Sequence, residues 1–380
     1  MQKLINLMRM IWITCFVAAF ILVYLLMPVF IRLMEKYKIL DSSGGRKIHK
    51  GYTAHMGGVV IFVAFVIALF ACALQLISEI NMFQLFAFII LLSLVVLMGV
   101  RDDMNSLSPW TKLGCEIAIG FLFCCMDIRL YSFYGLFGVY ELPIWISFIL
   151  TIAFIIVVCN AYNLIDGIDG QAGTQGLAVF IFLALFMSNM GLHEDIANHD
   201  TFFANSTFWL IVFIAIIGSI IGFLIFNWQP ARIFMGDTGS LFIGTLIALS
   251  IIMTMNYNGA TPFSLGEYEV KTKILLFPMF FFLPMADTLR VFLARMKRGK
   301  SPFSADKTHI HHFLLRTGYS HQRTTLTTFT TQIIVAIIST FVAFLISDLY
   351  YILYIILAWF AYVFILRVTV QRKIANLKNN

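Results

Sequence analysis

Two adjacent carboxylates are the first candidates for chemistry in this sequence. Asp102 and Asp103 come directly after an apolar run rich in Leu, Val and Met. Neighbouring carboxylates at such a boundary repel each other and lose hydration, unless a bound cation or a role in proton transfer compensates. A solvated helix end is the alternative interpretation of the same pair.

Residues 159–173 carry further acidic and amide groups, and no Lys or Arg within the segment neutralises them. Gly167 and Gly170 allow a ligand to approach the backbone, because glycine has no side chain. Four polar residues are spaced by three, so they would share one side of a helical or turn-like backbone: Asn160, Asn163, Asp166 and Asp169. This pattern favours a binding segment over a purely structural one.

Asp237 starts another apolar run, after Pro230 and Gly236 interrupt the previous one. Its carboxyl group could cap the helix that begins there, which is the structural alternative. An acidic residue at the end of an apolar run nevertheless repeats the pattern of Asp102.

Lys50 belongs to a basic cluster that precedes Gly57 and Gly58. Cations beside a helix N-terminus suit an anion such as phosphate. The same cluster could instead anchor the chain at the inner membrane surface. Its other members are Arg46, Lys47 and His49.

Three histidines lie within four residues, at His309, His311 and His312, after Asp306. Such a cluster could coordinate zinc, which readily takes nitrogen ligands. It could equally present imidazole groups to phosphate oxygens. Clustered aspartates elsewhere favour a hard cation, Mg²⁺, with Mn²⁺ as its substitute, and Mg²⁺ usually binds through one or two carboxylates plus substrate phosphates. The residues therefore predict Mg²⁺-dependent phosphoryl chemistry.

The elements that position these residues are membrane helices. Hydrophobic residues make up 61% of the 380 and charged residues 12%, whereas soluble domains carry about 25% charged residues. A spanning helix needs roughly 20 apolar residues. The sequence predicts an all-α bundle of eleven such spans, at 10–31, 57–77, 83–100, 112–127, 144–160, 174–192, 207–226, 239–256, 273–293, 326–346 and 350–367.

The distribution of Lys and Arg predicts an outside N-terminus and an inside C-terminus. With that topology, all but five of the 26 basic residues fall on the inside, as the positive-inside rule requires. The net charge of +7 is then a topology signal, and nucleic acid is not an expected partner. A single domain covers 1–380, with a site formed by the inside loops 32–56, 101–111, 161–173, 227–238 and 290–325.

Four motifs in this order resemble the polyprenyl-phosphate N-acetylhexosamine-1-phosphate transferase family. They read VRDDMNSL, NAYNLIDGIDG, FNWQPARIFMGDTGS and SPFSADKTHIHH, and the similarity extends from about residue 41 to 318. The HIHH form and the eleven spans are more similar to the WecA/TagO branch than to the related MraY branch. After DGIDG the family usually continues with Leu-Ala, whereas this chain has Gln171-Ala172.

The resemblance implies a reaction and its partners. Undecaprenyl phosphate would attack a UDP-N-acetylhexosamine, most simply UDP-GlcNAc, and UMP would leave. UDP-GalNAc, a 6-deoxy N-acetyl sugar and UDP-MurNAc-pentapeptide stay open as donors. The resemblance also implies a bacterial inner membrane, an active site on its cytoplasmic face and a homodimer.

The resemblance also implies roles for individual residues. Asp237 matches the main Mg²⁺ ligand, and Asp102 and Asp103 match a pair assigned to metal binding or to activation of the lipid phosphate. Asn163 and Asp166 match residues lining the nucleotide-sugar and metal region.

The remaining matches concern the substrate. His309, His311 and His312 match a loop that contacts the diphosphate and the sugar. Lys50 lies where the MraY branch has a phosphate-binding lysine. Four residues match the uridine pocket, where an aromatic ring would stack on uracil: Gly167, Asp169, Asn227 and Phe234.

Two other classes of protein compete with this prediction. A proton-coupled transporter also combines spanning helices with buried carboxylates, but it would place them near the middle of the bilayer and not at the inner ends of spans. A zinc hydrolase is disfavoured because the HIHH cluster lacks a HExxH-like glutamate. Direct attack and an aspartyl-phosphate intermediate both remain open, and we favour direct attack.

Overall fold

Helices account for nearly all regular structure in the computed structural model, which describes residues 2–41, 53–76, 81–189, 206–260, 264–265, 268–269, 274–299 and 308–379. The first six are α1 (Gln2–Lys36), α2 (Gly58–Ala73), α3 (Met82–Met104), α4 (Pro109–Cys125), α5 (Ile144–Ile165) and α6 (Gln171–Asn189). The others are α7 (Ser206–Asn227), α8 (Gly236–Ala260), α9 (Leu276–Met279), α10 (Phe282–Lys297), α11 (Ile310–Arg316), α12 (His321–Leu345) and α13 (Asp348–Asn379). The predicted all-α class is confirmed.

Among the described residues, the strands form two short antiparallel pairs. In the first, β1 (Leu40–Asp41) pairs with β2 (Thr53–Ala54), and in the second β3 (Ser264–Leu265) pairs with β4 (Tyr268–Glu269). Ala54 also bridges to Ile233, so the segment before α2 lies against the segment before α8. Lys50 and the rest of its basic cluster lie outside the described residues.

Within the described ranges, eight helices are long and apolar enough to cross a membrane: α1, α3, α5, α6, α7, α8, α12 and α13. The predicted multi-span helical bundle is therefore confirmed. The other three predicted spans fall on α2, α4 and the α9–α10 pair, and α2, α4 and α10 have only 16, 17 and 16 residues. The count of eleven and the orientation of the termini stay predictions.

Helix α8 lies at the centre of the bundle and packs against α2, α3, α5 and α6. Glycines allow this close packing. A Cβ atom on Gly58 would lie 2.1 Å from the Gly239 nitrogen, and one on Gly99 would lie 2.4 Å from the Thr238 Cα. Small residues let membrane helices approach at backbone distance. As a result, the N-terminal ends of α2 and α8 and the C-terminal part of α3 meet directly beside Asp237.

The predicted span 273–293 is broken between α9 and α10. Pro278 lies in α9 and Pro284 in the first turn of α10, and a proline has no N–H to donate within a helix. Gln332 of α12 supplies partners at the break. Its Oε1 accepts from Leu283 N at 2.8 Å, and its Nε2 donates to Phe280 O at 2.7 Å. A neighbouring helix thus satisfies backbone groups that the break releases.

The predicted inside loop 290–325 is largely helical where it is described. Helix α10 continues to Lys297, and α11 and the start of α12 follow from residue 310 onward. His309 is the N-cap residue of α11. The histidine cluster is therefore carried on a short helix packed against α12 and α13.

Gln332→Leu should destabilise the protein, because it leaves three backbone groups at the α9–α10 break without their partner. We expect a loss of about 2–4 kcal/mol in the free energy of unfolding, measured as a lower melting temperature in detergent. Gln322→Leu is the matched control, since Gln322 is an exposed residue of the same helix. Equal melting temperatures for the two variants would contradict this role of Gln332.

Candidate active site

Asp103 holds the beginning of α8 in place. Its carboxylate lies on α3 and accepts hydrogen bonds from Asp237 N at 2.7 Å, Thr238 N at 2.9 Å and Thr238 Oγ1 at 2.5 Å. The unpaired N–H groups and the dipole of a helix N-terminus favour such a negative charge. His55 Nδ1 lies 3.5 Å from the same carboxylate. Asp103 therefore fixes the backbone of Asp237 from a neighbouring helix.

Gly236 makes this arrangement possible. It has φ +75, in the left-handed region that glycine adopts readily. A Cβ atom at Gly236 would lie 2.6 Å from Asp103 Oδ2 and 2.9 Å from the His55 ring. Both the backbone conformation and the space exclude a larger residue at this position.

Asp102 and Asp237 face each other across Lys112. The Lys112 Nζ lies 3.0 Å from Asp102 Oδ2 and 3.5 Å from Asp237 Oδ2, so both carboxylates contact the same ammonium group. Asp102 Oδ1 accepts from Leu107 N at 2.7 Å, while Asp237 Oδ1 accepts from Asn163 Nδ2 at 2.6 Å. Lys112 thus forms ion pairs with both carboxylates.

The exposure of the three carboxylates separates their possible roles. The side chain of Asp237 is 34% exposed, whereas those of Asp102 and Asp103 are 8% and 3% exposed. Asp237 is therefore the carboxylate most able to meet a ligand from solution.

The donor set fits Mg²⁺, with part of the coordination left to the substrate. Two carboxylates in contact with one lysine leave excess negative charge, which a divalent cation would relieve. In the described part of the chain, no three His, Cys, Asp or Glu side chains already form a metal-binding group. Mg²⁺ commonly binds through one or two carboxylates and takes its other ligands from phosphates and water.

Asp166 adds a fourth carboxyl group at the end of α5, where it is the C-cap residue. Burial, together with the negative charges of Asp237 and Asp103, raises the pKa of Asp166 to about 8. Burial is the larger of these causes, and the two neighbouring carboxylates add to it. A bound cation would favour the ionised form of the same carboxyl group.

The polar residues spaced by three contact different partners, and Asp169 lies outside the helix that carries Asn160 and Asn163. Asn163 faces Asp237, but Asn160 donates to Glu116 Oε2 of α4 at 2.8 Å. Asp169 lies beyond the helix end, where its Oδ2 accepts from Ala231 N at 3.1 Å. Asp169 departs from the pattern because α5 ends at Ile165 and the chain turns before Asp169.

The residues matched to a uridine pocket form hydrogen bonds among three segments: those after α5, after α7 and before α2. Asn227 Oδ1 accepts from Gly170 N at 3.0 Å, and its Nδ2 donates to Ile233 O at 2.8 Å. Phe234 pairs through its backbone, donating to Ala54 O and accepting from Gly57 N. Its ring is half-buried. These contacts hold the loops after α5 and α7 beside the start of α2.

A buried carboxylate, Asp287 of α10, orients the histidine cluster. Its Oδ2 lies 2.9 Å from His309 Nδ1, and its Oδ1 accepts from Arg290 Nη2 at 2.6 Å and Tyr362 OH at 2.8 Å. A carboxylate only accepts, so His309 carries its proton on Nδ1. Its Nε2 is buried and has no partner among the described residues. That nitrogen can accept from a hydroxyl group or, once protonated, donate to a phosphate.

His311 brings the histidine cluster to the acidic segment. A Cβ atom on Gly167 would lie 2.6 Å from His311 Nε2, so this ring occupies the space that the glycine leaves open. The His311 and His312 rings are 4.2 Å apart. Burial, with His312 nearby, lowers the pKa of His311 to about 3, so this imidazole is neutral at neutral pH. Its buried Nδ1 has no partner in the described part of the chain.

Three residues of this site are not among those predicted from the sequence: Lys112, Asp287 and His55. Lys112 lies ten residues after Asp102, at the start of the predicted span 112–127, where a cation is typical of the membrane boundary. Asp287 had a usable signal, because an acidic residue inside a predicted span is a functional candidate. His55 had none, since its contact with Asp103 depends on how α2 and α3 pack.

Several known proteins are similar to this chain in sequence. The model of glycosyl transferase family 4 matches residues 85–255. The probable undecaprenyl-phosphate N-acetylglucosaminyl 1-phosphate transferase of Bacillus subtilis strain 168 is 30% identical over 83% of this chain and 80% of its own. The decaprenyl-phosphate N-acetylglucosaminephosphotransferase of Mycobacterium tuberculosis H37Rv is 31% identical over 74% of this chain and 70% of its own length. A phospho-N-acetylmuramoyl-pentapeptide-transferase of Campylobacter curvus is 32% identical over 63% of this chain and 72% of its own length.

Asp103→Asn and Asp237→Asn should differ in stability. At Asp103 an amide NH₂ would face backbone N–H donors, so we expect a loss of about 1–3 kcal/mol in the free energy of unfolding. At Asp237 the partly exposed carboxylate makes fewer contacts, so its variant should melt close to the wild-type temperature. Thermal unfolding of the two purified variants measures this. A larger loss for Asp237→Asn would contradict the positioning role of Asp103.

Proposed function

The chain belongs to glycosyl transferase family 4, and we propose that it transfers N-acetylglucosamine 1-phosphate from UDP-GlcNAc to undecaprenyl phosphate, releasing UMP. The observation that carries the proposal is the group of Asp102, Lys112 and Asp237, a charged cluster at the inner end of an apolar bundle. The sugar and the polyprenyl acceptor are those of the related Bacillus subtilis and Mycobacterium tuberculosis transferases.

Asp237 would hold Mg²⁺, with Asp102 beside it. Bound there, the metal would neutralise the charge of the donor diphosphate. Asn163 would keep the Asp237 carboxylate oriented, because its Nδ2 donates to both Asp237 Oδ1 and Ser240 Oγ. Asp103 would act as a positioning residue for the same side chain. Mn²⁺ is the expected substitute.

The histidines would bind the donor together with the Mg²⁺ site at Asp237. His309 Nε2 and His311 Nδ1 are buried polar atoms without partners in the described ranges, and unpaired buried polar groups are unfavourable. A diphosphate or a sugar hydroxyl group would supply those partners. Asp287 would hold the His309 ring at the required angle through the contact with Nδ1.

An apolar groove suits the chain of the acceptor. Its volume is 560 Å³, and helices α5, α9, α10 and α13 line it almost entirely with apolar side chains. Asn160 is the polar residue at its α5 side, one turn from Asn163. A polyprenyl chain lying in this groove would bring its phosphate toward Lys112, the cation that pairs with Asp102 and Asp237.

The proposed chemical step is an exchange of diphosphates. An oxygen of the lipid phosphate attacks the sugar-bearing phosphorus, the bond to the UMP oxygen breaks, and UMP leaves with that electron pair. Catalysis then depends on positioning and on charge neutralisation. Direct attack is favoured because Asp102, Asp103 and Asp237 all have partners, and none stands apart as a nucleophile.

The proposal also includes a location in the membrane and an oligomeric state. The excess of inside cations supports a cytoplasmic active site in a bacterial inner membrane. A homodimer stays a prediction from the resemblance. UDP-GalNAc, a 6-deoxy N-acetyl sugar and UDP-MurNAc-pentapeptide are the alternative donors, and the last agrees with the similarity to the Campylobacter curvus protein.

A panel of UDP-sugars tests the proposal. The full-length protein in detergent, with undecaprenyl phosphate and Mg²⁺, should release UMP fastest from UDP-GlcNAc. Asp237→Ala should lower that rate by at least 100-fold, because it removes the proposed metal ligand. Glu141→Ala, at an exposed residue outside the site, is the control. Absence of UMP release with every N-acetyl sugar would refute the function.

Omission of the lipid acceptor tests direct attack. With UDP-GlcNAc and Mg²⁺ alone, we expect no UMP, because no protein group takes the sugar phosphate. A rapid release of UMP equal to the amount of protein would instead demonstrate an aspartyl-phosphate intermediate.

A further inference from the structure

A basic pocket lies between the inner ends of α10 and α13, apart from the carboxylate cluster. Its volume is 820 Å³, and no Asp or Glu is among its lining residues. Phe313 of α11 and Trp359 of α13 form part of its wall. Four cations line it: Arg290, Lys297, Arg298 and Arg367. We call it the α10–α13 pocket.

The α10–α13 pocket changes from apolar to cationic along both helices. On α10, Leu293 precedes Lys297 and Arg298, and on α13 Val363 precedes Arg367. Both helices run toward the inner side in the predicted topology. Their apolar turns therefore face the bilayer interior, and their cations lie at the level of the inner lipid headgroups.

This profile matches an anionic phospholipid of the inner leaflet. Basic pockets between membrane helices on that side attract phosphate headgroups. Lys297, Arg298 and Arg367 are exposed and have no ion-pair partner among the described residues. We propose that the α10–α13 pocket binds the phosphodiester of an anionic phospholipid, with its acyl chain along Leu293 and Val363.

Two contacts separate this lipid from the polyprenyl acceptor. Trp359 lines both the α10–α13 pocket and the apolar groove, and its Nε1 donates to Ala286 O at 3.3 Å, so the ring stands between the two spaces. Asp287 binds both Arg290 and His309, and Arg290 also donates to Thr308 O beside the histidine cluster, so the lipid phosphate is assigned to Lys297, Arg298 and Arg367 and not to Arg290. A phosphate at Lys297 or Arg298 is thus a second phosphate. The proposal does not rest on the proposed function.

Lipid binding by the full-length protein tests the proposal. After delipidation, native mass spectrometry would follow titration with phosphatidylglycerol and, separately, phosphatidylcholine. The wild type should bind one phosphatidylglycerol more tightly than phosphatidylcholine. The triple variant K297Q/R298Q/R367Q should weaken phosphatidylglycerol binding roughly 100-fold, because each interfacial cation contributes a factor of about five.

A matched variant removes three exposed cations elsewhere, as R32Q/K36Q/R323Q, and should bind phosphatidylglycerol as the wild type does. If the first triple variant does not fold, Arg298→Gln alone should weaken binding about fivefold. Equal affinity for the two phospholipids, or equal losses in both triple variants, would overturn the proposal. So would a triple variant that loses undecaprenyl phosphate binding while its phosphatidylglycerol binding is unchanged.

Discussion

The carboxylate of Asp103 at the N-terminus of α8 is the interaction on which the site depends. It joins α3 to the central helix of the bundle, and it accepts the first N–H groups of α8 at a place where little water reaches them. Close packing through Gly58 and Gly99 brings the three helix ends together, so that this bond can form. Asp237 is thereby held with its own carboxylate partly exposed beside Asp102 and Lys112.

Much of this arrangement could be predicted from the sequence, because the bilayer imposes simple rules. Long apolar runs mark spans, and acidic residues at their ends stand out against that background. Asp102, Asp103, Asp166 and Asp237 were found in this way, and the structure brings all four together. His309 and His311 were found from their spacing, and they face the same region from α11.

Other parts depend on tertiary packing that no local pattern reports. The break between α9 and α10 is stable because Gln332, about fifty residues later, satisfies its backbone. Lys112 resembles a topology cation until α4 packs beside α3. The spacing of Asn160 and Asp169 suggested a common face, but α5 ends between them. Such contacts join residues far apart in sequence, and periodicity alone cannot predict them.

In the proposed reaction a sugar phosphate, and not the sugar alone, moves to the lipid. It is tested most directly with UDP-GlcNAc that carries radioactive phosphorus only in its β-phosphate. After reaction with undecaprenyl phosphate, we expect the label to enter the organic phase with the lipid and the nucleotide product to be unlabelled UMP. Label that stays in the aqueous phase as UDP, with the sugar transferred alone, would contradict it.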